Sequence, residues 1–107
     1  MEKPVLKIYA TKAGAVYLKE VLAGAEEEGI PYEVEIHLEA KAKDLAYKAA
    51  VASILETGIG IDGEFACIAI SKLPNKPLES YEVFSKAKLR LAGCNAARIV
   101  KGIPLKY

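Results

Sequence analysis

The sequence predicts an α/β domain, and three observations carry that prediction. Short apolar runs rich in strand formers alternate with segments of helical period, in the order β-α-β-α-β-β-β-α. Helical crossovers after the first and second strands set the early strands parallel. An Asp62-Gly63 turn between two further apolar runs folds one later strand back antiparallel. A chain of 107 residues is long enough for one core without metal or disulfide staples, so residues 1–107 are expected to form a single domain.

Each element has its own signal. Val5 to Ala10, bounded by Pro4 and Thr11-Lys12, is a short apolar run expected to be a central strand. From Ala13 to Glu28 the pattern turns helical, with Leu18, Val21, Leu22 and Ala25 on one face. Gly29-Ile30-Pro31 stops that helix: glycine for a left-handed cap, proline to prevent continuation. Tyr32 to His37 alternates with period two and is expected near a sheet edge. Lys41 to Leu55 is alanine-rich and helical, with Leu45, Ala49, Val51 and Ala52 available for burial. Gly58 to Asp62 and Phe65 to Ile70 form the hairpin, and Lys72 to Leu78, with two prolines, is a loop. Ser80 to Phe84 is a short strand. Lys86 to Lys101 is a helix with Leu89, Gly93, Ala96, Ala97 and Val100 inward, ending at Gly102-Ile103-Pro104.

Composition removes several function classes. Hydrophobic residues make up 52% and charged residues 27%, a soluble balance, and a formal net charge of +1 steers the molecule toward neither nucleic acid nor anionic membrane. No apolar run approaches the roughly 20 residues of a membrane span, and the opening "MEKPVLKIYA", short and quickly strand-like, is not expected to act as a signal peptide. Cys67 and Cys94 lack metal or redox spacing and are expected to be buried thiols of a cytoplasmic protein. His37 has no second histidine to join it in a zinc site or acid–base pair. The glycines of "GIGIDG" lie in a strand and turn rather than between a strand and a helix, which argues against a nucleotide loop. No nucleophile elbow or acid pair is apparent, which favours a binding or subunit role over catalysis.

Two constellations break local rules or repeat. At "EEEGIP" three carboxylates, Glu26, Glu27 and Glu28, crowd a helix end whose carbonyl dipoles favour cations. At ~100° per residue, Glu27 points away from the apolar stripe, with Glu26 and Glu28 beside it. Two interpretations stand: a solvated acidic helix end, or a docking surface that meets a cation or a basic partner. In the last helix Arg90, Cys94, Arg98 and Lys101 recur as one strip opposite the expected core face. That strip is either an ordinary basic helix end or a partner-docking surface. No aromatic is interleaved with these basics, which disfavours RNA.

At these residues the sequence resembles a known family. "VLAGAEEEGIPYEVE" (Val21 to Glu35), "GIGID" and "LRLAGCNAARIVKGIPLK" (Leu89 to Lys106) are similar to the small subunit of the reactivating factors of coenzyme B12-dependent diol and glycerol dehydratases. The resemblance implies a three-layer α/β/α fold with a mostly parallel sheet of about five strands and one antiparallel strand, like the dehydratase medium subunit. It implies a non-catalytic partner of a large actin-like ATPase subunit, in a chaperone-like factor that frees damaged cobalamin from inactivated dehydratase by subunit exchange. No cofactor is expected on this chain alone, with Mg and ATP or ADP held by the large subunit. By position, the resemblance makes Glu27 a ligand completing a magnesium site at the subunit boundary. It makes Asn95, Arg98 and Lys101 partner-docking residues, joining Glu26 and Glu28 of the docking interpretation of the acidic end; the alternative, equally weighted, is that Asn95 and Gly102 fix helix geometry inside the domain. The expected location is cytoplasmic, with packaging in a bacterial microcompartment left open, and the isolated chain is a candidate homo-oligomer. The alternatives are the medium subunit of the dehydratase itself, which usually carries a longer N-terminal extension, and a stand-alone small-molecule-binding domain.

Overall fold

In a computed structural model, residues 3–107 of the protein are described. Strand β1 (Leu6–Thr11) leads through a 3-10 turn (Gly14–Tyr17) into helix α1 (Leu18–Glu27). Strand β2 (Tyr32–His37), helix α2 (Ala42–Ala52), strands β3 (Thr57–Ile61), β4 (Phe65–Ile70) and β5 (Glu79–Glu82), and helix α3 (Lys86–Lys101) complete the order. The limits of β2, β4 and α3 are those expected from the sequence. Helix α1 begins later than its periodicity suggests. Thr11 Oγ1 accepts the Gly14 amide at 3.0 Å, and the following residues tighten into the 3-10 turn. Strand β5 is displaced toward Glu79 and ends before Val83 and Phe84.

The strands form one sheet in the order β2-β1-β3-β4-β5. β1 pairs in parallel with β2 and β3, while the β3–β4 and β4–β5 pairings are antiparallel. Reversing twice returns β5 to the common direction, so β4 alone opposes the other four. β1 is interior and buried on both faces but lies second from the edge, with β3 at the centre, whereas β2 is an edge strand with outward Glu33 and Glu35 exposed.

Helices cover both faces of the sheet. On one side Leu6, Ile8, Ala10, Ile59, Ile61 and Ile68 pack against Val21 and Ala25 of α1 and against Leu89, Ala92 and Ala96 of α3. On the other side Tyr9, Cys67 and Ala69 lie beneath α2 with Ala42, Leu45, Ala46, Ala49 and Ala50. The layers are therefore α/β/α, as the resemblance implies. Val51, expected inside, is 58% exposed, because the alanines hold the sheet-facing positions of α2.

Small residues set how closely these layers approach. A Cβ at Gly60 would lie 2.1 Å from the Ala42 carbonyl oxygen, and one at Gly58 2.3 Å from the Ala50 amide nitrogen. The "GIGID" glycines thus admit the α2 backbone onto β3, which explains them without a phosphate. The α1–α3 crossing is tighter still. A Cβ at Gly93 would meet the Val21 oxygen at 1.9 Å, and one at Gly24 the Arg90 oxygen at 2.1 Å. Asp62 pins the hairpin by accepting the Glu64 and Phe65 amides at 2.7 and 2.8 Å. Its second oxygen accepts the Ala42 amide at 2.9 Å, so the turn also caps α2.

Candidate functional site

Helices α1 and α3 each follow a strand of the common direction and return along the same face of the sheet, so they run parallel and end together. Both end in the same glycine cap. Gly29 has φ 74°, with Gly29 N–H donating to Glu26 O and Ile30 N–H to Ala25 O. Gly102 has φ 69°, with Gly102 N–H donating to Ile99 O and Ile103 N–H to Arg98 O. These are paired Schellman stops, and two carbonyl ends side by side would leave an uncompensated negative edge.

The basic residues of α3 compensate that edge. Lys101 Nζ donates to the Glu28 backbone oxygen at 3.0 Å and to Glu28 Oε1 at 2.7 Å. Arg98 Nε donates to Glu28 Oε2 at 3.1 Å. Further along the seam, Arg90 binds Glu20 through Nε and Nη2 at 3.2 and 2.8 Å, and Glu27 Oε2 through Nη1 at 3.0 Å. Three carboxylates thus meet three cations. Lys101, then Arg98, hold the Glu28 carboxyl below its ordinary range. Glu20, then Glu27, raise the Arg90 guanidinium further.

This geometry corrects the expected surface. The three glutamates do not stand as a bare acidic cluster. Glu26 accepts the Tyr32 hydroxyl at 2.6 Å, Glu27 is 44% exposed and shared with Arg90, and the Glu28 side chain is only 10% exposed along the seam. The unfavourable charge at the end of α1 is neutralised within the chain, from α3. Nor is the strip Arg90, Cys94, Arg98 and Lys101 directed wholly to solvent: it faces α1, and Cys94 is buried at 1% exposure. Cys67 and Cys94 are free buried thiols, raised above their ordinary pKa chiefly by burial.

Asn95 is not a surface docking residue. Its side chain, 0% exposed, donates through Nδ2 to Tyr81 Oη and to Lys106 O, both at 2.9 Å, and accepts the Lys106 amide at 2.7 Å. It grips the tail in the way a neighbouring strand would. Arg98 adds a bond from Nη1 to Pro104 O at 3.0 Å. Burial pushes the Tyr81 phenol up to about 12. His37 stacks on Tyr9 with ring centroids 4.1 Å apart, in a packing role.

Comparison with known proteins places this architecture. The family model described as "Dehydratase medium subunit" matches residues 3–106. A curated relative from Klebsiella michiganensis, the diol dehydratase-reactivating factor small subunit, is 39% identical over 90 residues, covering 82% of this chain and 72% of its own. The chain belongs to the dehydratase medium subunit family, among its reactivating-factor small subunits. Propanediol dehydratase-reactivating factor small subunits from Salmonella typhimurium and Citrobacter freundii are 38% and 37% identical, each covering 96% of this chain and 90% of the relative. Among solved structures, one of "diol dehydratase-reactivating factor complexed with ADP and Mg2+" superposes with TM-score 0.92 at 34% identity, covering 99% of this chain and 100% of the other. A glycerol dehydratase reactivase superposes at TM-score 0.91 and 30% identity, covering 98% of both chains.

For a small subunit of this family, the donor set decides what a metal role could be. Among the described residues no group of three or more His, Cys, Asp or Glu could hold a metal ion. Glu27 offers a hard, partly exposed carboxylate, suited to supply one oxygen to a magnesium ion held otherwise by another chain. The sequence assigns no role to Glu20 or Tyr81, and it marks Asp62 as a hairpin turn but not as the cap of α2. Glu20 had a signal, since it lies two helical turns before Glu27 on the same side of α1.

Proposed function

We propose that this chain is the exchangeable, non-catalytic small subunit of an ATP-dependent factor that reactivates a B12-dependent diol or glycerol dehydratase. The observation that carries this function is the match over 96% of the chain to propanediol dehydratase-reactivating factor small subunits. The fold shared with a reactivating factor complexed with ADP and Mg2+ supports it. The partner is a large actin-like subunit that hydrolyses ATP. The chain occupies a position that a dehydratase subunit can take in its absence, so its departure opens a route for damaged cobalamin to leave. It acts in the cytoplasm as one domain, residues 1–107.

Glu27 contributes an oxygen to magnesium at the boundary with the large subunit, and Glu26, Arg98 and Lys101 border that contact. The chemistry of this chain is thus assembly and release. The medium subunit of the dehydratase is disfavoured by the curated relatives, all three of which are reactivating-factor small subunits.

Reconstitution tests the function. The chain, a large reactivating subunit, ATP and magnesium are added to glycerol-inactivated holo-dehydratase with fresh coenzyme. Recovery of dehydratase activity that requires this chain is expected. Equal recovery without it would exclude the proposed role.

A further inference from the structure

We infer that Arg90 is an internal cation that holds Glu27 while the subunit is free and yields it to the divalent ion when the subunit docks. This rests on the proposed boundary role of Glu27 and adds what regulates it. Arg90 Nη1 lies 3.0 Å from Glu27 Oε2, so a cationic group of the chain itself already stands at the carboxylate. The same guanidinium is anchored separately by two bonds to Glu20 at 2.8 and 3.2 Å. Its backbone is fixed too, because the Arg90 carbonyl lies in the glycine gap of the α1–α3 crossing. Losing Glu27 therefore neither strands the guanidinium nor opens the helices.

The consequence is an exchange of cations at one carboxylate. Docking breaks the contact from Arg90 Nη1 to Glu27 and puts the divalent ion in its place; undocking restores it. Release is then offset in part by a bond that reforms inside the departing subunit. Because the pair is exposed and worth little, the toll on docking is small and adjustable.

The test is a magnesium titration of assembly between this chain and the large subunit, read by sedimentation velocity rather than by reactivation. Arg90→Gln should lower the magnesium concentration at half-assembly by roughly two- to fivefold, the range expected for an exposed ion pair. Glu20→Gln, which leaves Arg90 to Glu27 alone, should raise it. Arg90→Lys keeps a cation in the seam but cannot hold Glu20 and Glu27 together, so its midpoint should fall between those of Arg90→Gln and wild type. Glu27→Gln should weaken the magnesium dependence itself. If Glu27→Gln weakens it while Arg90→Gln and Glu20→Gln leave the midpoint unmoved, Arg90 is no competitor and the inference falls. If Glu27→Gln has no effect, the boundary role fails, and the inference with it.

Discussion

Asn95 carries no charge, yet three hydrogen bonds converge on its buried amide, two of them to the backbone of Lys106. Replacing it with alanine removes all three and leaves the Tyr81 hydroxyl without its donor. The expected loss is about 1–3 kcal/mol in urea unfolding, together with faster amide exchange at Lys106. Glu28 makes a different prediction. Its folded carboxyl titrates below the ordinary value of 4.5 because Lys101 and Arg98 bond the charged form. The stability it contributes is therefore complete above that ordinary value and disappears as pH falls through the lowered one. A melting-temperature series from about pH 6 to pH 2 should show a shallower acid decline for Glu28→Gln than for the wild type. Parallel curves would deny the carboxylate this role.

The pairing of α1 with α3 depends on backbone proximity more than on side-chain bulk. Gly93→Ala would force a methyl group onto the Val21 carbonyl, an overpacking expected to cost about 1–3 kcal/mol and to misalign the ion pairs of the seam. Gly29→Ala meets nothing within 4 Å and should cost only about 1–2 kcal/mol for its left-handed backbone, leaving assembly intact. Urea midpoints and magnesium-dependent assembly separate the two. Much at this scale was legible in the sequence. The two Gly-Ile-Pro stops, the hairpin at Asp62-Gly63 and the alternation of Tyr32 to His37 each rest on local chemistry. The seam was not legible, because Glu28 and Lys101 are 73 residues apart and their meeting depends on the register of two helices. Periodicity identifies a strip on α3 but not that α1 covers it. It leaves open whether Asn95 meets a partner or fixes geometry inside the domain, while the burial expected of Cys94 is what the structure shows. Asp62 escaped as a cap for the same reason: it serves a helix that begins 20 residues earlier.

Across the whole molecule, the sheet has a free edge at β2 that could template pairing with another strand. Outward Glu33 and Glu35 stand along it, and Lys7 reaches Glu33 at 2.7 Å from the neighbouring strand. Charged edge residues of this kind oppose strand addition. Replacing both glutamates with valine should increase concentration-dependent light scattering of the isolated chain, while its melting temperature changes little. Arg98 links two distant regions of this surface, since one guanidinium holds Pro104 O and the Glu28 carboxylate together. A disturbance of that glutamate is expected to reach the final residues, where Tyr107 is open to solvent. A dye placed on Tyr107 should therefore sense events at the far helix terminus without touching it.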